Sequence, residues 1–310
     1  MTLFDIVHKT FWRTVENLRS TWRFKITEYD QKLMDSRAAA YLRRLNDGEP
    51  SERDRPVFLF LRSFAMDKLV EFDPADSRRR PPIDPFHDDP KARRLRKVAL
   101  ETALARDLNE RGTTIALQNA DETYSLRSDA FSGDRGDGNT LFHLGPGEVR
   151  LAPDRWFEQF ARVADHCDLI VSIPIVCCTG PVQQNGTLRE LHYLVGKNLI
   201  RKCIFVMPPE QYFSGYSVFR RFDGLGRSSE SVRVDKHISE LWNDSLPHLQ
   251  AIGLKLPKHC VKESEVGLVA DGLGQAVRFG MDEFRGGLIL TALRTLHGTD
   301  RLLKHASPYP

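Results

Sequence analysis

Nowhere in these 310 residues is there a run approaching the ~18 to 20 apolar residues that would span a bilayer. The first thirty residues also lack an uninterrupted apolar segment of the secretory type. A cytoplasmic chain without a transmembrane segment is therefore expected. Cysteine is sparse, and Cys167, Cys177, Cys178, Cys203 and Cys260 contain no CxxC pair. Buried free thiols in a reducing compartment are expected, and no metal site, because paired ligand spacing is missing. A dominant charge sign is missing too: 45 Lys and Arg against 42 Asp and Glu leave only +3. Nothing in that balance calls for a nucleic-acid partner.

Several chemical signatures are absent as well. The first apolar run, Val57 to Leu61, is not followed by GxGxxG or by a GKS/GKT loop, which disfavours a conventional dehydrogenase or a P-loop NTPase. The glycines of Asp223-Gly224-Leu225-Gly226 lack a third member and a suitable preceding strand. No GxSxG occurs, the ten histidines are scattered, and no internal repeat is visible.

What remains is a chain with 41% hydrophobic residues, enough to bury a sizeable core. Its length is near the upper limit for one core, so one domain with elaborations is expected. From Met1 to Asn46, Phe4, Val7, Phe11, Val15, Leu18, Trp22 and Ile26 recur at steps of three and four, the pattern of an amphipathic helix. This arm holds nine Lys/Arg and five Asp/Glu, a surplus of four. Such a helix can touch a membrane surface, but packing on the same chain or on a second copy is the favoured expectation.

After a polar break over 46–56, Val57 to Leu61 reads as a central strand, Lys91 to Glu110 as a helix stopped by Gly112, and Thr113 to Leu117 as the next strand. No periodicity is readable from Gln118 to Arg150. A helix then runs to about Asp165, and Asp168 to Val176 reads as a strand interrupted by Pro174. A helix carrying Glu190 follows, and Cys203 to Met207 is a further strand. Beyond Pro209 the pattern weakens into an aromatic, Gly/Arg/Ser-rich stretch, a helix over 237–252, a hairpin around Asp271-Gly272 and a closing helix over 281–296. Alternating strands and helices predict an α/β fold with a doubly wound, mostly parallel sheet over 56–210. An amphipathic helical arm precedes it at 1–46, and an α+β extension follows at 211–310.

Ligands of open α/β sheets bind beyond the carboxyl ends of the strands, which makes Glu190, just past a buried strand, the first carboxylate to consider. A single carboxylate suffices to cleave an N-glycosidic bond whose leaving group is already cationic, such as nicotinamide in NAD. The base departs without a proton, and the carboxylate stabilises an oxocarbenium-like sugar. The local sequence also allows a purely structural role, because Thr187-x-x-Glu190 has the form of a helix capping box.

Taken together, Gly145-Pro146-Gly147, Trp156 to Ala164, Asp168 to Ser172 and Thr187-Leu188-Arg189-Glu190-Leu191 resemble the second half of a Toll/interleukin-1 receptor (TIR) domain. Val57 to Phe64 resembles its first strand and following turn, and is similar to the Leu-Arg-Ser-Phe opening of bacterial TIR-like proteins. Thr187-Leu188 stand where the family has Trp-Cys. The resemblance implies a TIR/flavodoxin-like sheet and NAD cleavage dependent on Glu190. It also implies a nucleotide pocket lined by Arg62, Ser63, Phe64, Pro146, Gly147 and Thr187, with NAD as substrate rather than cofactor. It implies activation by self-association, through the arm or the domain, in bacterial defence or signalling. A nucleotide-binding scaffold that catalyses nothing, and a deoxyribosyltransferase-like N-glycosidase, remain open beside it.

Overall fold

In the computed structural model the described residues are 31–48, 55–62, 71–72, 98–119, 146–152, 154–176, 186–223, 226–263, 265–270 and 276–280. A helix over 31–47, α1, ends at Gly48, whose φ of 70° is the left-handed conformation glycine tolerates at a helix terminus. Residues 1–30 of the expected arm and the expected closing helix over 281–296 lie outside the described residues. Strand β1 (Val57–Arg62) follows, then β2 (Glu71–Phe72) and β3 (Val98–Ala99), which pair with each other. Helix α2 (Leu100–Arg111) therefore begins later than its periodicity predicts, because Val98 and Ala99 are spent on that short ladder. Next come β4 (Thr113–Asn119), β5 (Gly147–Leu151), α3 (Trp156–His166), β6 (Leu169–Ile173), α4 (Gly186–Gly196) and β7 (Cys203–Met207). The chain continues through a long hairpin, β8 (Tyr212–Asp223) and β9 (Gly226–His237), to α5 (Ile238–Ala251), β10 (Glu265–Ala270) and β11 (Val277–Gly280).

Seven strands form one mixed sheet in the order β11-β10-β7-β6-β1-β4-β5. β5, β4, β1, β6 and β7 run parallel, and β10 and β11 extend the sheet antiparallel. The fold is thus α/β with a mostly parallel sheet, and residues 265–280 belong to that sheet. Val57 to Leu61 and all of β6 and β7 are buried, as required of strands covered on both faces. Right-handed crossovers put α2 on one face and α3 and α4 on the other, because the chain steps from β1 towards β5 and later from β6 towards β7. That reversal lies between β1 and β6. Their amino ends are pinned together: the Val57 N–H donates to Asp168 Oδ2 and the Asp168 N–H to the Val57 carbonyl, each at 2.8 Å.

Taken in chain order the five parallel strands run 3-2-1-4-5, whereas a flavodoxin-like sheet runs 2-1-3-4-5. The difference is β5, an edge strand in a stretch with no readable periodicity. Without it the order is 2-1-3-4. Helix α1 packs along β5: the Gln31 side-chain amide donates to the Pro146 carbonyl at 2.9 Å, and the Glu148 N–H donates to Asp35 Oδ1 at 3.0 Å. Ala38, Tyr41 and Leu42 of this helix are buried in the core, Ala38 close against Gly147. No helix among the described residues is long and apolar enough to cross a membrane.

Candidate functional site

The β6 ladder stops at Ile173, immediately before Pro174, whose ring cannot donate to a ladder. Past it, the Val176 N–H donates to Ser245 Oγ at 2.8 Å, and that hydroxyl donates to the Leu241 carbonyl at 2.7 Å. Helix α5 thus fixes the path of the chain leaving the carboxyl end of β6. Arg62 closes β1 directly opposite Ile173. Helix α4 then begins at Gly186, and its Leu188, Leu191 and Leu194 are buried.

Glu190 is also buried, at 5% exposure. No hydrogen bond or ion pair to its carboxylate is present among the described residues, and burial holds its carboxyl well above the usual carboxylate range. Because the helix begins at Gly186, Thr187 lies inside its first turn rather than at its N-cap. The capping box that the sequence allows is not formed. A buried carboxyl without a partner among the described residues is costly in an ordinary core.

The neighbouring helix supplies an aromatic wall. Trp156 and Phe160 stack at 6.2 Å with 19° between planes, and Tyr193 of α4 meets Phe157 and Phe160 edge-on at 5.8 and 5.7 Å. The Arg189 guanidinium sits 3.8 Å over the Phe157 ring. Arg189 is therefore occupied in a cation–π contact. The Tyr193 hydroxyl donates to Asp165 at 3.0 Å, and partial burial followed by Asp165 pushes its pKa up to about 12. These contacts lock α3 against α4 and fix the rotation of the helix that carries Glu190.

Arg62 ends β1 opposite Ile173, and Thr187 and Glu190 lie on α4, the next described element after β6. Ser63 and Phe64 lie outside the described residues, and Arg62 is described in its backbone alone. Pro146 and Gly147 are not brought beside Arg62. Gly147 is level with Ile115 and Leu59, three residues short of Arg62 and three strands across from β6. That is about 10 Å along and about 14 Å across the sheet. Their role in the fold is to receive α1.

Sequence reasoning overlooked two polar groups on α3. The Trp156 indole nitrogen and Gln159 Oε1 are both buried without a hydrogen-bond partner among the described residues. The available signal was Gln159 itself, a polar residue between Trp156 and Phe160 on the inward face. Among the described residues no group of His, Cys, Asp and Glu is placed to hold a metal ion. Comparison with models of known protein families, with curated proteins and with solved structures gives no match to this chain.

Proposed function

We propose that this protein is a TIR-like NAD nucleosidase that cleaves the nicotinamide–ribosyl bond, with Glu190 as its essential carboxylate. One observation carries the proposal: Glu190, on the helix that follows β6, is buried, and its carboxylate has no hydrogen-bond or ion-pair partner among the described residues. The resemblance of 187–191 to the TIR glutamate motif supports it. Burial favours the neutral carboxyl in the resting protein, whereas the cationic pyridinium of a bound NAD favours the carboxylate. Substrate binding and ionisation of Glu190 thus assist each other. The ionised group then faces the positive charge that moves onto the ribose as nicotinamide leaves.

The test is chromatography of NAD incubated with concentrated protein, wild type beside Glu190→Gln. Nicotinamide should appear with the wild type alone, and kcat/KM should rise with pH through the raised pKa of Glu190. Nucleotide binding without release would indicate a module that binds and catalyses nothing. Cleavage confined to free nucleosides would indicate the deoxyribosyltransferase-like chemistry.

A further inference from the structure

Helix α4 is held to α3 along one of its faces. Arg189 and Tyr193 stand four residues apart on that face, Arg189 over the Phe157 ring at 3.8 Å and Tyr193 edge-on to Phe157 and Phe160. Ring contacts of this kind tolerate sliding. A directional contact is added by the Tyr193 hydroxyl, which lies 3.0 Å from both carboxylate oxygens of Asp165. Asp165 is itself a fixed post. Lys202 Nζ donates to the Asp165 and Cys167 carbonyls at 3.1 and 2.9 Å, and Asp168 beyond them is pinned to Val57 of β1. Glu190 precedes Tyr193 by three residues, about 60° around the helix axis. It falls between Tyr193, which faces α3, and Leu194, which is buried.

We propose that Tyr193 and Asp165 are the positioning pair of Glu190: their hydrogen bond sets the rotation of α4 about its own axis, and with it the depth at which the Glu190 carboxyl sits. Both act through the helix. Its eleven residues turn as a unit, so a rotation that takes the hydroxyl off Asp165 carries Glu190 through the same angle. Turned one way, the carboxyl moves towards the α3 seam, whose outer side holds the exposed Arg189 and Asp165. Turned the other way, it is driven against the sheet. This rests on reading Glu190 as the carboxylate of an N-glycosidase, because there both its distance from the sugar and its burial enter the rate.

The experiment uses the full-length protein with carbon-13 in its glutamate carboxyl groups, the Glu190 signal being identified by its loss in Glu190→Gln. That signal is titrated in the wild type, Tyr193→Phe, Asp165→Ala and Asp165→Asn. Tyr193→Phe keeps the ring, and Asp165→Asn removes the same charge as Asp165→Ala yet keeps an acceptor for the hydroxyl. Loosening admits water, so in Tyr193→Phe and Asp165→Ala the midpoint should move down from its raised position towards the ordinary carboxyl range. Asp165→Asn should titrate like the wild type. An unmoved midpoint in folded Tyr193→Phe overturns the proposal, as does Asp165→Asn behaving like Asp165→Ala. On NAD, Tyr193→Phe should lower kcat by about ten- to a hundredfold with KM little changed, the cost of displacing a reacting group by about 1 Å. Equal turnover by Tyr193→Phe and the wild type overturns the pairing and leaves Glu190 in place. A moved midpoint with no nicotinamide released by the wild type keeps the pair and overturns the catalytic reading. Should neither Tyr193→Phe nor Asp165→Ala fold, the bond is structural and the assignment falls.

Discussion

Glu190 sets stability and activity against each other. Below the ordinary carboxyl range the group is neutral in both the folded and the unfolded chain, and burial costs nothing. As pH rises the unfolded chain loses its proton first, because the folded pKa is raised. The contribution of this residue to stability is thus full at low pH and is lost as pH climbs through the raised value. Glu190→Gln keeps the shape and removes the charge. It should melt above the wild type at neutral pH, and the gap should close near about pH 4, where both carry a neutral side chain. Thermal melts across that range check this, and a variant that melts lower at neutral pH would mean the carboxylate is a structural partner after all. Cys203 shows the bland form of the same physics: burial, with Cys167 beside it, pushes its thiol up, and no reactive role follows.

At the scale of elements, legibility in the sequence followed packing. β1, β6, β7 and α5 were readable because each presents an apolar run or a clear helical stripe to the core. β5 was not, since Gly-Glu-Val-Arg-Leu pairs with a neighbour on one side only and leaves Glu148 and Val149 half-buried and Arg150 exposed. The hairpin β8–β9 was missed for a related reason. Its backbone pairs over twelve residues from Tyr212↔His237 to Asp223↔Gly226, yet its Gly, Ser and Arg content breaks the alternation expected of a half-buried strand. Of the expected pocket residues, Arg62 at the end of β1 and Thr187 on the helix after β6 follow from chain connectivity, which sequence reveals. The position of Gly147 depended on how α1 packs, which it does not. A β-carbon on Gly147 would come within 2.5 Å of the Met34 carbonyl oxygen and 2.8 Å of Ala38 Cβ. Gly147→Ala should therefore lift α1 from the edge and cost about 1–3 kcal/mol, as overpacking typically does. Urea unfolding gives the magnitude, and an unchanged midpoint would show that α1 yields freely.

Across the whole molecule, protection should be graded from the centre of the sheet outwards. Amides of β1, β6 and β7 lie between paired neighbours in a buried layer, whereas the hairpin β8–β9 forms its own two-stranded sheet. Hydrogen exchange should be slowest in the first group, at the free energy of global unfolding, and fastest in the second. Uniform exchange across both would contradict the gradient. The same sheet is also a template for further strands wherever its edge is bare. Gln31 and Asp35 stand one helical turn apart, about 6 Å, close to the two-residue repeat of a strand at about 6.6 Å. One offers a donor to the Pro146 carbonyl and the other an acceptor to the Glu148 N–H, so two side chains impersonate the backbone of a sixth parallel strand. The forgery matches β5 in hydrogen-bond polarity but presents no edge of its own, and on this side a sheet that could otherwise recruit another chain comes to an end.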